Sequence, residues 1–166
     1  LMAILNASIR EVRRSIFALR PIALDEQGFF NALRQFCSHF GEQYQLRIAL
    51  EVLGPEERLA SAVELPLFRV VQEALNNVRK HAQASAIDIR LDLQDTAAIN
   101  LSIHDNGVGF ELSTMRRALR EGHVGLKQME ERIKSINGSL HVQSAVGQGT
   151  TIHVVLPGRG PTDESP

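Results

Sequence analysis

The sequence has few of the residues that mark special classes of protein. Among its 166 residues there is no tryptophan, one tyrosine and one cysteine, Cys37. A single cysteine excludes an intrachain disulfide and fits a reducing compartment. No apolar run approaches the ~20 residues needed to span a bilayer, and no signal-peptide pattern is present. We therefore expect a cytoplasmic segment that makes no membrane contact itself, with or without a membrane anchor in the longer protein.

The chain also lacks an excess of charge of one sign. It has 18 basic and 19 acidic residues, and its net charge is −1. This balance predicts no cationic face for nucleic acid or anionic lipid. With 43% hydrophobic residues, the chain can form one compact domain and an appendage. Cys37 and His39 suggest a metal pair, but the helical spacing of Phe36 and Phe40 around them favours core packing.

The chain begins inside a helical pattern. An apolar residue recurs every three or four positions, at Leu5, Ile9, Val12, Ile16 and Leu19. This spacing predicts a seam buried against another helix, in a bundle or coiled coil; a helix folded back on its own domain is the alternative. Pro21 ends the helix. We therefore assign 1–20 to a partial bundle helix, 21–157 to a globular domain and 158–166 to a disordered tail.

Helical and strand patterns alternate along the globular domain. Helices are predicted from about Asp25 or Glu26 to Phe40, over 63–82 and over 125–136, with a short helix near 113–119. Strands are predicted near 46–52, 87–93, 99–105, 139–144 and 150–156. Asn137 and Gly138 are a typical cap for the last helix. This order predicts an α+β fold, a two-layer α/β sandwich in which helices cover one face of a mixed sheet.

The helix over 63–82 carries polar residues beside its apolar stripe. Glu73, Asn77 and His81 are spaced four residues apart, so they share one edge of the helix, and Lys80 lies next to them. This edge is either a rim that grips a ligand or a set of ordinary solvated side chains. Asn77 offers a neutral oxygen for Mg²⁺, and Glu73 could orient or deprotonate an attacking group.

Asp105 ends a strand whose alternate residues face the core. The carboxylate is therefore predicted on the core side, where an unpaired charge is costly. No Arg or Lys lies nearby in sequence, which makes the exocyclic amine of a ligand a plausible partner. The alternative is a hairpin turn at Asn106 and Gly107, with Asp105 as its flanking residue. Gly107 and Gly109 leave room for a flat ligand to approach the backbone.

Two further glycine-containing segments precede regular elements. Gly122 and Gly125 lie just before or at the start of a helix, where free N–H groups favour phosphate. The segment GQGTT at 147–151 is either part of a ligand site or an ordinary turn between strands.

Four of these segments, in order, resemble a known set of motifs. QEALNNVRKHA, HDNGVGF, GHVGL and GQGTT look like the N, G1, G2 and G3 boxes of the GHKL ATPase superfamily, which includes gyrase, Hsp90, MutL and histidine kinases. More narrowly, the chain resembles the catalytic part of bacterial sensor histidine kinases that work with NarL-type response regulators. ALRPIALDEQGFFNALRQF, at 18–36, looks like the segment that joins the dimerisation bundle to the ATP-binding domain in that subgroup. The resemblance implies a Bergerat (GHKL) fold, ATP and Mg²⁺ as ligands, and a homodimer formed through the N-terminal helix.

The resemblance also implies roles for the helix residues. Glu73 would assist phosphoryl transfer, Asn77 would ligate Mg²⁺, and Lys80 and His81 would lie near the phosphates. The same likeness implies a response regulator as the partner that receives the phosphoryl group on an aspartate.

For the glycine-containing boxes, the resemblance implies contacts with the nucleotide. Asp105 would accept the adenine amino group, and Gly107 and Gly109 would shape the adenine pocket. The lid, a segment from about Glu111 to Gly122, and the helix start would enclose the phosphates through Gly122, Gly125 and Leu126. Thr150 would lie under the adenine ring.

One departure from the family pattern decides what the chain can do alone. None of its six histidines has the E-L-H-D-like context of the residue that such kinases phosphorylate. We therefore expect the acceptor helix outside this chain, and we expect the chain to bind ATP without labelling itself. Two alternatives stand beside this interpretation: an anti-sigma-factor-type serine kinase of the same superfamily, and a non-catalytic dimerisation or interaction module with an idle nucleotide site.

Overall fold

The computed structural model describes residues 22–111, 113 and 124–158. The predicted bundle helix over 1–20, nearly all of the predicted helix near 113–119, Gly122, and the predicted tail beyond Gly158 lie outside these residues. The domain boundaries drawn from the sequence therefore stay predictions. Within the described ranges, no helix has both the length and the apolar character that crossing a bilayer requires.

The described part of the chain contains both helices and strands. In chain order the elements are helices α1 (Ile22–Gln27) and α2 (Phe29–Tyr44), strand β1 (Arg47–Leu53), helix α3 (Ser61–Asn77) with a π-helix at its end (Val78–Ala82), strands β2 (Ala86–Asp92) and β3 (Ala98–Asp105), helix α4 (Val124–Lys134), and strands β4 (Ser139–Ser144) and β5 (Thr150–Pro157).

The five strands form one mixed sheet in the order β1-β2-β3-β5-β4. Strands β1 and β2 are parallel, and the other neighbours are antiparallel. Along β2, Ile87, Ile89 and Leu91 are buried, whereas the intervening Asp88 and Arg90 are exposed. Among the described residues, the helices therefore cover one face of the sheet and leave the face with Asp88 and Arg90 open. The predicted α+β sandwich with a mixed sheet is confirmed.

The core lies between the helices and the covered face of the sheet. Its largest fully buried side chains are Phe68, Leu33, Leu67, Leu75, Ile87, Ile89, Leu91, Met129, Ile133 and Leu156. Cys37 is also buried in this cluster, which confirms core packing at that position. No group of three or more potential metal-ligand side chains occurs among the described residues.

The prediction of one helix from about Asp25 or Glu26 to Phe40 was wrong. Gly28 has a φ of 77°, a positive value that interrupts the helix and that glycine adopts without strain. The sequence QGFF therefore contains a break between α1 and α2. Helix α2 continues past Phe40 to Tyr44, whose ring lies 4.6 Å from that of Phe40, measured between centroids.

The helix predicted over 63–82 is present but is not α-helical throughout. It begins at Ser61, and its last turn, Val78–Ala82, is a π-helix. Short π-helical turns inside or at the end of α-helices are rare and often occur at functional sites. The helix predicted over 125–136 runs over Val124–Lys134, and Asn137 takes the left-handed conformation of the predicted cap, with a φ of 59°.

The hairpin alternative at Asn106 and Gly107 was wrong. Strand β3 pairs with β2 and β5, and the next described regular element along the chain is α4. The residues after Asp105 therefore form a loop that leaves the sheet instead of a tight turn between neighbouring strands.

Candidate functional site

The core-facing side of the sheet ends in a row of three polar residues. Asp105 is paired with Thr150 across β3 and β5, and Thr150 is paired with Ser144 across β4 and β5. Residues directly opposite each other in antiparallel strands point to the same face. The row therefore lies on the core-facing side, at the end of the apolar face of the sheet.

Asp105 is placed on the core side, as its strand position predicts. Its exposure is 5%, and burial raises the pKa of its carboxyl group, while hydrogen bonds from the backbone of Gly107 and Thr150 and the nearby His104 act in the opposite direction. The Gly107 N–H donates to Asp105 Oδ1 at 2.8 Å. No Lys or Arg pairs with this carboxylate in the described part of the chain. A carboxylate held in this way keeps acceptor capacity for an amine.

The loop after Asp105 packs closely against two other segments. A Cβ atom on Gly107 would lie 2.3 Å from the carbonyl oxygen of Ala82, and one on Gly109 would lie 2.0 Å from that of Ala145. The Val108 N–H donates to the Ala82 carbonyl at 2.7 Å. The two glycines are therefore required by neighbouring protein backbone, and they join the loop to the end of the π-helix and to the β4–β5 turn.

Asn106 fixes the start of this loop, and the sequence-based interpretation gave it no role in the site. Its Oδ1 accepts hydrogen bonds from the N–H groups of Ser85 and Ala86, at 2.9 and 3.0 Å, and its Nδ2 donates to Ser85 Oγ at 3.0 Å. Its own N–H donates to the Ala86 carbonyl at 3.2 Å. The side chain thus extends the β2–β3 ladder by one step. The only sequence signal for this extension of the ladder is an Asn between a strand end and a glycine.

Four predicted residues lie at the C-terminal end of the α3 segment. Glu73 and Asn77 are half-buried, and Lys80 and His81 are exposed on the π-helix. Because a π-helix has a wider turn than an α-helix, the four-residue spacing from Asn77 to His81 does not continue the edge defined by Glu73 and Asn77. Glu73 and Asn77 therefore share one edge of the helix that His81 does not continue, and the ligand-binding role of this edge stays a prediction.

Glu73 also contacts the start of α4. A Cβ atom on Gly125 would lie 2.1 Å from Glu73 Oε1, so the absence of a side chain at Gly125 makes room for the carboxylate. Leu126, the next residue, is half-buried against the core. The structure thus brings Glu73 and Gly125 together, although they are far apart in sequence.

The arrangement fits a nucleotide with Mg²⁺. The buried Asp105 carboxylate suits an amine, and the start of α4 beside Glu73 is a position where backbone N–H groups favour phosphate. Because no described cluster of His, Cys, Asp or Glu can hold a metal by itself, Mg²⁺ would depend on phosphate oxygens together with the amide oxygen of Asn77.

Comparison with known proteins identifies the fold family. A family model described as "Histidine kinase-, DNA gyrase B-, and HSP90-like ATPase" matches residues 62–160. The chain belongs to this ATPase family. The predicted GHKL resemblance is therefore confirmed, and membership implies ATP as the ligand.

Curated relatives of this ATPase domain include named histidine kinases. The chain is 37% identical over 157 residues to the signal transduction histidine-protein kinase/phosphatase DegS of Brevibacillus brevis, covering 95% of this chain and 39% of DegS. It is 32% identical to the sensor histidine kinase LiaS of Bacillus subtilis, covering 89% of this chain and 39% of LiaS. The chain thus spans about two fifths of the length of these two relatives.

Solved structures share the fold of the domain. The histidine kinase domain of a blue-light activated kinase from Erythrobacter litoralis superposes with a TM-score of 0.61 at 17% identity, covering 76% of this chain and 59% of that domain. The mycobacterial sensor histidine kinase MprB gives a TM-score of 0.55 at 22% identity, covering 76% of this chain and 92% of the MprB chain.

Proposed function

We propose that this chain is the ATP-binding catalytic domain of a two-component sensor histidine kinase. It transfers the γ-phosphate of ATP to a histidine that another segment supplies. The observation that carries the proposal is the buried Asp105 carboxylate, which among the described residues accepts hydrogen bonds from the backbone N–H groups of Gly107 and Thr150. The names of the curated relatives support a histidine kinase over other members of the ATPase family.

Asp105 recognises the adenine base in this proposal. Its carboxylate accepts the 6-amino group, and Thr150, directly opposite on β5, lies under the ring. The close packing of Gly107 and Gly109 against Ala82 and Ala145 keeps the loop in one position before the nucleotide arrives. Such preorganisation reduces the ordering cost of binding.

Residues at the ends of two helices hold the phosphates and their metal. Asn77 supplies an amide oxygen to Mg²⁺, and Gly125, with Gly122 and Leu126, contributes the backbone around the phosphates. Lys80 and His81 lie at the exposed side of this region. When bound, Mg²⁺ neutralises phosphate charge. Glu73, which contacts the start of α4, orients the attacking histidine or holds its proton.

Phosphoryl transfer depends mostly on positioning and charge neutralisation, so one domain can hold ATP while another presents the acceptor. We propose that the acceptor histidine lies on a bundle helix outside this chain. In the longer protein, the segment over 1–20 joins a homodimer, and a NarL-type response regulator receives the phosphoryl group on an aspartate.

Calorimetry on this chain tests the nucleotide site. A non-hydrolysable ATP analogue with Mg²⁺ is titrated into the parent and into Asp105→Asn, and we expect binding to the parent and at least a tenfold loss, about 1.4 kcal/mol, in the variant. Asp88→Asn is the matched control, because Asp88 is an exposed carboxylate on the open face of the sheet. Absence of binding to the parent would favour the non-catalytic interaction module.

A transfer assay tests the reaction. With labelled ATP, we expect no label on this chain alone and acid-labile label on an added chain that carries the acceptor helix. Stable self-labelling on histidine would contradict the proposed division of labour. Acid-stable phosphate on a partner serine would favour the serine kinase.

A further inference from the structure

Ser144, the third member of the polar row, makes three hydrogen bonds with its side chain. The Phe110 N–H donates to Ser144 Oγ at 2.9 Å, and Ser144 Oγ donates to the Gly149 carbonyl at 2.9 Å. The third partner is Thr150 Oγ1, at 3.0 Å. Ser144 thus links the loop after Asp105 to the β4–β5 turn and to the first residue of β5.

The first two hydrogen bonds fix the direction of the third. A serine hydroxyl has one proton to donate and two lone pairs that accept. A carbonyl oxygen can only accept, so the single proton of Ser144 goes to Gly149; an amide N–H can only donate, so one lone pair receives Phe110. Only a lone pair is left for Thr150. The Thr150 hydroxyl must therefore donate its proton to Ser144.

This direction sets what Thr150 offers to a ligand. With its proton directed to Ser144, Thr150 Oγ1 presents only lone pairs to other groups. The carboxylate of Asp105, directly opposite on β3, is an acceptor as well. The row therefore presents acceptors at adjacent positions and no side-chain donor. A ligand edge that carries N–H groups fits this pattern, and a carbonyl at the same position would meet unpaired acceptors.

We propose that Ser144 determines nucleotide specificity by fixing the Thr150 hydroxyl as an acceptor, so that the pocket takes a 6-aminopurine and rejects a 6-oxopurine. This inference rests on the proposed function. Ser144 is a positioning residue, because it acts on the ligand through Thr150. A purely structural role for Ser144 would affect the binding of all purine nucleotides equally. A specificity role would instead change the affinity for 6-aminopurines relative to other purines.

The experiment compares ligands that differ only at position 6 of the purine. ADP and purine riboside diphosphate, which lacks the 6-amino group, are titrated with Mg²⁺ into the parent, Ser144→Ala, Thr150→Val and the double variant. For the parent, we expect ADP to bind at least tenfold more tightly. In Ser144→Ala the Thr150 hydroxyl is free to rotate and to donate, so the ratio of the two affinities should fall by about two- to tenfold, the value of one net hydrogen bond.

The double variant shows whether Ser144 acts through Thr150. If it does, Ser144→Ala should not change the affinity ratio further once Thr150 is valine. Inosine diphosphate, a 6-oxopurine, should gain affinity relative to ADP in Ser144→Ala. Ser144→Thr, which keeps a hydroxyl, should retain the ratio of the parent.

Each remaining outcome would contradict either the inference about Ser144 or the proposed function. If Ser144→Ala weakens both ligands equally and leaves the ratio unchanged, Ser144 is structural and the inference is wrong. If Ser144→Ala does not fold, Thr150→Val still tests the inference, because an unchanged ratio there would show that Thr150 offers the amine no acceptor. If the parent binds neither ligand, the proposed function itself fails, and the inference fails with it.

Discussion

Replacing Gly125 with alanine should separate catalysis from stability. The added methyl group would lie 2.1 Å from Glu73 Oε1, whereas ordinary van der Waals contact begins at 3.4 Å. The carboxylate must therefore move by more than ~1 Å, a displacement that can reduce a reaction rate by roughly 10²-fold. The nearest backbone is not involved, because the three closest atoms all belong to the Glu73 side chain.

The fold should tolerate this change. Glu73 is flexible at its far end, and Gly125 has no positive φ, so alanine there should stabilise the fold by about 0.4–1 kcal/mol by restricting the unfolded chain. We therefore expect Gly125→Ala to melt at the same temperature as the parent or slightly higher. Phosphoryl transfer to an added acceptor-helix chain, measured at saturating ATP, should fall by about 10²-fold.

A double-variant comparison isolates the cause. In a Glu73→Ala background, the space beside position 125 is open, so Gly125→Ala should cause no further loss of transfer. Gln128→Ala, an exposed change in the same helix, controls for altered helix propensity. Parent-level transfer by Gly125→Ala would refute the reasoning, because the position of the Glu73 carboxylate would then not matter for the reaction.

Three further predictions concern stability and reactivity. Because burial raises the folded-state pKa of Asp105, its stabilising contribution is complete below the unfolded pKa of about 3.9 and is lost as pH rises through the folded pKa. At pH 7, Asp105→Asn should therefore unfold at a higher urea concentration than the parent, and the difference between their urea midpoints should narrow in acid. A difference that does not depend on pH would contradict this. Burial raises the pKa of the Cys37 thiol to about 12, so iodoacetamide at pH 8 should label it only after denaturation, and rapid labelling of the folded chain would be inconsistent with a buried thiol. Leu75 is 0% exposed, and Leu75→Ala should reduce the free energy of unfolding by about 2–5 kcal/mol in urea titrations; an unchanged midpoint would show that the core is packed differently there.

Local patterns in the sequence were sufficient for the main elements. Alternation along 99–105 placed Asp105 on the core side, because a strand turns successive side chains to opposite faces. Asn137 ended the last helix in a left-handed conformation, as its position before Gly138 predicted. These features depend on residues that are neighbours in the chain.

The features that the sequence did not reveal depend on contacts between distant segments. The Ser144 hydroxyl accepts a hydrogen bond from Phe110, 34 residues away, and the Asn106 side chain accepts one from Ser85, 21 residues away. Both contacts require the register of the strands, which no local pattern contains. Gly28 is different, because a glycine inside a helical pattern is often tolerated, so the sequence alone does not show that its φ is positive.

The π-helix at the end of α3 makes this domain sensitive to chain length at one place. A π-helical turn contains more residues than an α-helical turn, and here it ends at Ala82, whose carbonyl receives the Val108 N–H. Deleting one residue within Val78–Ala82 would allow the helix to close as an ordinary α-helix without disturbing the buried residues of Ser61–Asn77. The carbonyl would then point away from the loop after Asp105. A single-residue deletion at this position should therefore leave the sheet and its polar row in place while releasing the loop after Asp105 from the helix.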